Sequence, residues 1–184
     1  MMLKFAILGF LGYSPMTGYA IKQRMDRSTT HFWHARQSQI YTTLKALEEE
    51  GLATSMIQEQ VERPDKRLYF ITDNGRSSFL AWLQEPYLEC SPKKETLVLK
   101  MFFAAQMESD TALSQLQIQL NIHRKQLDHY RNDSVKEIKQ AKAEFPSLVR
   151  DARMWEATRR FGEMYEETYI RWIEEMIAEI QMDQ

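Results

Sequence analysis

A change of hydrophobic period near residue 51 constrains this chain more than any other feature. Before it, Ile40, Leu44 and Leu47 repeat at spacings of four and three with Tyr41 beside them, which predicts a helix over 37–50 stopped at Gly51. After it, 52–57 and 67–72 are short β-branched and aromatic runs flanking a polar, turn-prone stretch, the pattern of a β-hairpin with a long tip. Upstream, 3–11 reads as a helix apolar nearly all round and therefore buried, stopped by Gly12 before the turn Tyr13-Ser14-Pro15. A second helix opens at Thr17 or Gly18 and carries a broken stripe through Tyr19, Ile21 or Lys22, and Met25. A fourth starts at the signal Asp73-Asn74-Gly75 and runs through Phe79, Leu80, Trp82 and Leu83 to near Pro86. The predicted order is helix, helix, helix, hairpin, helix.

That order is the layout of a winged helix-turn-helix, in which the third helix enters the major groove and the wing meets the backbone or minor groove. Gln37, Gln39, Thr42 and Lys45 face away from Ile40, Leu44 and Leu47, and amide side chains pair with adenine while lysine serves guanine or phosphate. Arg63, Lys66 and Arg67 place three cations at or beside the wing tip, where phosphate neutralisation needs them. The whole chain carries a net charge of −2, yet the residues up to Leu47 have a local excess of +5. A small α+β domain with a solvated helix face and a charged turn is the competing reading of the same pattern.

The stretch 86–94 has two prolines and no helical period, so it is the expected boundary between domains at 1–86 and 93–184. Everything beyond it looks helical, making the fold class mainly α, with an N-terminal winged helix-turn-helix and an all-α C-terminal domain. Leu97, Met101 and Ala104 or Ala105 define one helix. Leu113, Leu116, Leu120, His123, Leu127 and Tyr130 define a longer one that continues through Val135 and Ile138 to a break at Phe145-Pro146. The last begins near Ser147 and carries Leu148, Ala152, Trp155, Tyr165, Tyr169, Trp172, Met176 and Ile180. Leu113, Leu116, Leu120, Leu127, Trp155, Tyr165, Trp172 and Met176 are expected to pack and to form a dimer interface. An effector pocket is the alternative for Trp155 and Trp172.

Chemistry-bearing constellations do not emerge. Cys90 is the single cysteine of the 184 residues, so neither an intrachain disulfide nor a cysteine-based zinc site is expected. His31 and His34 lack a convincing third ligand, and His123 and His129, six apart, share no clear helix face. The chain has no glycine-rich phosphate loop, nucleophile elbow or HExxH. Glu48-Glu49-Glu50 and Glu166-Glu167 read as solvated faces. The expectation is a non-enzyme with no cofactor and no metal. The apolar run 5–13 is too short for a secretion signal with a cleavage site, and no stretch approaches the ~20 apolar residues of a membrane span, so a cytoplasmic location is expected.

Several short motifs carry a resemblance. Pro15-x-Thr-Gly-Tyr19, Gln39-Ile-Tyr-x-x-Leu-x-x-Leu-Glu48, Glu50-Gly-Leu52, Arg63-Pro-Asp-Lys-Arg-x-Tyr69 and Ile71-Thr-x-x-Gly75 together resemble the signature of PadR-family transcriptional regulators. The helical remainder, with Phe32-Trp33 before the third helix and Trp172 near the end, is similar to the virulence-activator branch of that family. The resemblance implies a homodimeric, cytoplasmic regulator binding double-stranded DNA at an inverted repeat, with a small-molecule effector in some members. It implies phosphate contact by Tyr19, for which packing inside is the alternative. Gln37, Ser38, Gln39 and Thr42 are then expected to read bases, Lys22, Arg36 and Lys45 to hold backbone, and Arg63, Lys66 and Arg67 to form the wing contact. Two residues depart from the family pattern. Arg36 stands where Ser or Asn caps the third helix, which removes about 1 kcal/mol of side-chain capping unless a neighbour supplies it, and Glu62 replaces the Gly before Arg63-Pro64. A protein-interaction module on the same scaffold is the expectation that competes with DNA binding.

Overall fold

Apolar side chains on most sides of α1 (Met2–Tyr13) leave it little solvent face, and Ile7, Leu8 and Leu11 are buried. The computed structural model describes residues 2–29, 32–59, 65–89 and 94–182. The chain divides into two compact units, Met1–Cys90 and Ser91–Gln184.

In the first unit, α1 is followed by β1 (Met16–Thr17), α2 (Gly18–Ser28), α3 (Gln37–Glu49), β2 (Ala53–Gln58), β3 (Lys66–Ile71) and α4 (Asp73–Gln84). The three strands form an antiparallel sheet ordered β1-β3-β2. β1 is absent from the sequence-based expectation, because two residues after a proline turn are too few to show a period of two. It pairs Met16 with Tyr69 and Thr17 with Leu68, so the chain between α1 and α2 is stitched to the wing's second strand. Ile7 and Leu8 of α1, Ile21 and Met25 of α2, and Ile40, Leu44 and Leu47 of α3 meet in one core, with Tyr69 of β3 beneath them. Burying each such side chain contributes about 1.5–3 kcal/mol. The predicted stripe of α3 is therefore the face that holds the helix.

One hydroxyl joins the α3–β2 turn to the start of α4. Gly51, at φ +69°, ends α3 in the left-handed region open to glycine. Thr72 caps α4 by accepting from Gly75 N at 3.0 Å, and donates from the same hydroxyl to the Gly51 carbonyl at 2.8 Å. Its own N–H donates to the Leu52 carbonyl.

The second unit is helical throughout: α5 (Thr96–Phe102), a 3-10 turn (Ala104–Gln106), α6 (Ser109–His129), a π-helical turn (Tyr130–Ser134), α7 (Val135–Glu144), a 3-10 turn (Pro146–Leu148) and α8 (Val149–Met182). Leu97, Leu116, Leu120 and Ile173 form its core, with Tyr169, Trp172, Met176 and Ile177 packed around them. Leu116 and Leu120, expected at a dimer interface, are thus enclosed within the chain itself. Leu113, Leu127, Trp155, Tyr165, Trp172 and Met176 are half-buried. Apolar residues left in water on the two long helices include Ile118 and Ile122 of α6 and Met154, Phe161 and Met164 of α8. Trp155 and Trp172 lie 17 residues apart on one helix, roughly 25 Å along its axis, so they do not line a single pocket within a chain.

Two expectations change in this unit. Glu166 is buried, not solvated, and its Oε2 lies 2.5 Å from Nδ1 of His123, whose ring stacks on Tyr169. The partner lies 43 residues away in sequence, which is why local pattern pointed to a surface acid. The continuous helix expected across Tyr130 is interrupted by the π-helical turn, which seats Tyr130 against α8. Arg159 of α8 reinforces the junction: it donates to both carboxylate oxygens of Glu156, to Glu163 Oε2 at 2.8 Å and to the Tyr130 carbonyl at 3.2 Å. Among the described residues no helix is long and apolar enough to cross a membrane.

Candidate nucleic-acid interface

The solvent face of α3 is what its buried stripe leaves over. Gln37, Ser38, Gln39, Thr42 and Lys45 are all exposed while Ile40, Leu44 and Leu47 are sealed in the core. A helix so anchored presents its polar side chains at fixed spacing on a rigid element. Lys45 keeps most of its side chain in water and sits 3.7 Å from Glu49, an exposed i,i+4 pair with little hold on it.

The start of α3 solves the capping problem posed by Arg36. A guanidinium has no acceptor, so it cannot satisfy the first helical N–H groups, and no side-chain cap bond forms from it. Gln39 works in the other direction, its Oε1 accepting from the Arg36 N–H at 2.8 Å. The carbonyl oxygen keeps a second lone pair beyond this bond. Gln39 thus closes the helix start while staying exposed beside Gln37, Ser38 and Thr42.

The entry to α2 lies against α3. Thr17 caps the helix by accepting from Ala20 N at 3.1 Å. Gly18 is buried under Tyr41, and a Cβ there would lie 2.7 Å from the Tyr41 ring, so glycine is what permits the contact. Tyr19 next to it is 56% exposed, which excludes packing inside, and its hydroxyl accepts from Gln23 Nε2 at 3.0 Å. Lys22 is ion-paired with Asp26 one turn later, so part of its charge is already compensated.

The wing divides its cations differently from the sequence-based expectation. Lys66 is exposed and takes part in no ion pair among the described residues. Arg67 is bound: Nε donates to Ser55 Oγ at 2.7 Å and Nη2 to both Glu48 oxygens at 3.2 and 3.1 Å. Arg63, with Glu62 and Pro64, lies outside the described residues, as do His31 and Cys90. The role of Glu48 escaped the sequence reading, although its place one turn before the α3–β2 connection was the available signal. Burial raises the pKa of the neighbouring Tyr69 hydroxyl, an effect opposed by the Arg67 charge and assisted by Glu48. Among the described residues there is no cluster of three metal-ligating side chains.

This arrangement has close parallels. The PadR-like transcriptional regulator family model matches residues 7–81, and the model for the virulence activator alpha C-terminal region matches 93–181. The negative transcriptional regulator PadR of Bacillus subtilis is 28% identical over 184 residues, covering 98% of each chain. Its crystal structure in complex with operator DNA matches with a TM-score of 0.83 at 26% identity, over 97% of both chains. Its complex with p-coumaric acid gives 0.74 at 26% identity, over 97% of this chain and 95% of that one. The virulence activator AphA of Vibrio cholerae gives 0.70 at 26% identity, over 99% of each. The chain belongs to the PadR-like family of transcriptional regulators, in the branch that carries the virulence-activator C-terminal region.

Proposed function

We propose that two copies of this chain bind an inverted-repeat operator, each reading one half-site with α3 and bracing it with the wing. The observation that carries this is the exposed polar row Gln37, Ser38, Thr42 and Lys45 on a helix whose opposite face is fixed in the core. In this account Gln37, Ser38, Gln39 and Thr42 face base edges, with Gln39 also closing the helix start. Lys45, Arg36, Tyr19 and Lys22 meet backbone, and Lys66 with Arg63 supplies the wing contact. Residues 1–86, within the first unit, serve as the DNA-binding domain and residues 93–184, within the second, as the dimerisation domain. The operator complex of the B. subtilis relative supports this reading over nearly the whole chain.

A symmetric dimer presents two identical readers, so its site is two-fold related. The exposed apolar side chains Ile118, Ile122, Met154, Phe161 and Met164 supply the surface such a dimer would cover, with the half-buried Leu113, Leu127 and Trp155 behind them. A small-molecule effector belongs to the proposal through the p-coumaric acid complex of the relative, with Trp155 and Trp172 in separate places rather than in one pocket. The reading implies no catalytic step and places the protein with DNA in the cytoplasm.

The test is substitution on the duplex that the wild-type chain selects. Replacing Gln37 and Thr42 together with Ala should relax the preferred bases and leave the salt dependence alone, because base contacts carry sequence information and phosphate contacts carry ion release. Lys45→Ala should do the reverse. Unaltered base preference in the double variant would remove α3 from the account.

A further inference from the structure

We propose that Glu48, Ser55 and Arg67 form a clamp fixing the wing to the reading helix, so that Arg67 is a positioning residue rather than a phosphate contact. The inference rests on the DNA-binding reading above and concerns which residues of that site touch DNA.

Three elements meet in the clamp. Glu48 is the penultimate residue of α3, Ser55 lies on β2 and Arg67 on β3. The register pairs Ser55 with Tyr69 and Ile57 with Arg67, and side chains two apart on a strand share a face. Ser55 and Arg67 are therefore diagonal neighbours on the same face of the hairpin, the one that meets Glu48. Ser55 Oγ donates to Glu48 Oε1 at 2.6 Å and accepts from Arg67 Nε at 2.7 Å, while Arg67 Nη2 reaches both carboxylate oxygens. The guanidinium also lies over the Tyr69 ring at 5.6 Å, and Tyr69 is rooted in the core. A planar fork held by three acceptor atoms and a ring face is a fixed object. The Glu48 side chain is 22% exposed against 58% for Arg67, so the acid is the sheltered anchor and the arginine the strap across it.

This changes the charge that the wing offers DNA. With Arg67 neutralised by Glu48, Lys66 is the unpaired wing cation among the described residues. The clamp's contribution is to hold the wing at one angle to α3, so that groove reading and wing contact occur together without ordering a loose hairpin on binding.

The two roles of Arg67 predict opposite signs. If the clamp positions the wing, Glu48→Ala weakens binding to the selected duplex about tenfold, Arg67→Ala does the same, and the double variant is no worse than either alone. Neither single change alters the slope of log affinity against log salt. If Arg67 is instead a phosphate contact, Glu48→Ala frees a cation and removes an acid near the duplex, so binding tightens and the slope steepens by about 0.9. Arg67→Lys separates them again: a lysine keeps the charge but not the fork, so it fails to rescue a clamp and largely rescues a phosphate contact. Tighter binding by Glu48→Ala, or rescue by Arg67→Lys, overturns the proposal.

Hydrogen exchange of the free full-length chain provides the arm that needs no DNA. Amides of β2 and β3 toward the wing tip should exchange about tenfold faster in Glu48→Ala than in the wild type, with α1 protection unchanged. Equal wing protection in the two proteins overturns the clamp. A wild-type chain that selects no duplex but loses wing protection on Glu48→Ala overturns the DNA reading and supports the clamp, so the two failures are distinct.

Discussion

Tyr130 stands so close to the backbone of Gly162 that a Cβ on residue 162 would lie 2.4 Å from the tyrosine Cζ. The π-helical turn at 130–134 and the glycine of α8 are two halves of one contact, and Tyr130 is almost completely buried in it. Burial, and secondarily the charge of Glu166, raises the pKa of its hydroxyl well above the usual tyrosine value.

Gly162→Ala should therefore destabilise the second unit by about 1–3 kcal/mol, the usual cost of forcing volume into a packed site. Urea denaturation of the full chain measures it. Pairing the change with Tyr130→Leu should recover part of the loss, and an unchanged midpoint in the single variant would contradict the contact.

Gly75 meets something less forgiving than a side chain. A Cβ there would fall 2.0 Å from the Leu52 carbonyl oxygen, a backbone atom in the turn that Thr72 holds. Gly75→Ala should cost about 3 kcal/mol, and Thr72→Val, which removes one cap and one turn bond, about 1–2 kcal/mol. Both should appear in thermal melts monitored by circular dichroism, and equal melting of wild type and Gly75→Ala would exclude this turn geometry.

Acid should act on the second unit through Glu163 and Glu156. Hydrogen bonds from Arg131 first and Arg159 second hold the Glu163 carboxyl below its ordinary pKa of 4.5, and Arg159 does the same for Glu156. A folded-state pKa below the unfolded one contributes stability that is complete above the unfolded value and is lost as pH falls through the folded one. Glu163→Gln should thus lower the melting temperature near neutral pH and flatten its decline below about pH 4.5. Parallel wild-type and variant curves across that range would rule the network out as a source of acid sensitivity.

Lys66 and Lys22 should respond differently to removal. Lys66→Ala should reduce the salt slope of DNA binding by about 0.9, the value for one released counterion. Lys22→Ala should reduce it less, because Asp26 already compensates that charge. Equal slopes for wild type and Lys66→Ala in a salt titration would take the wing out of the interface.

The parts of this molecule legible in its sequence are those with a period. Ile40, Leu44 and Leu47 announce α3 and its buried face, and the turn from period four-and-three to short strands announces the wing. Two residues of β1 carry no period. Tyr130 fits the stripe of α6 as well as it fits a π-helical turn, since the neighbour that decides between them, Gly162, is remote in sequence. The same holds for charge. Glu48 and Arg67 are 19 residues apart and His123 and Glu166 are 43 apart, so residue type alone points to solvated acids and does not reveal the partner of Arg67. Gln39 has two uses that its sequence position does not separate: a glutamine is equally a base reader and the returning half of a cap, and Arg36, having no acceptor, leaves the cap to it.

The measurement that bears most directly on the central claim is selection by the full-length chain from a random duplex pool at about 150 mM salt, where sequence-independent phosphate attraction is already weakened. The account predicts enrichment of an inverted repeat with half-sites about one helical turn, or a multiple of it, apart. Recovery of an unenriched pool by folded protein would contradict it, and would turn attention to the winged scaffold as a surface for protein partners.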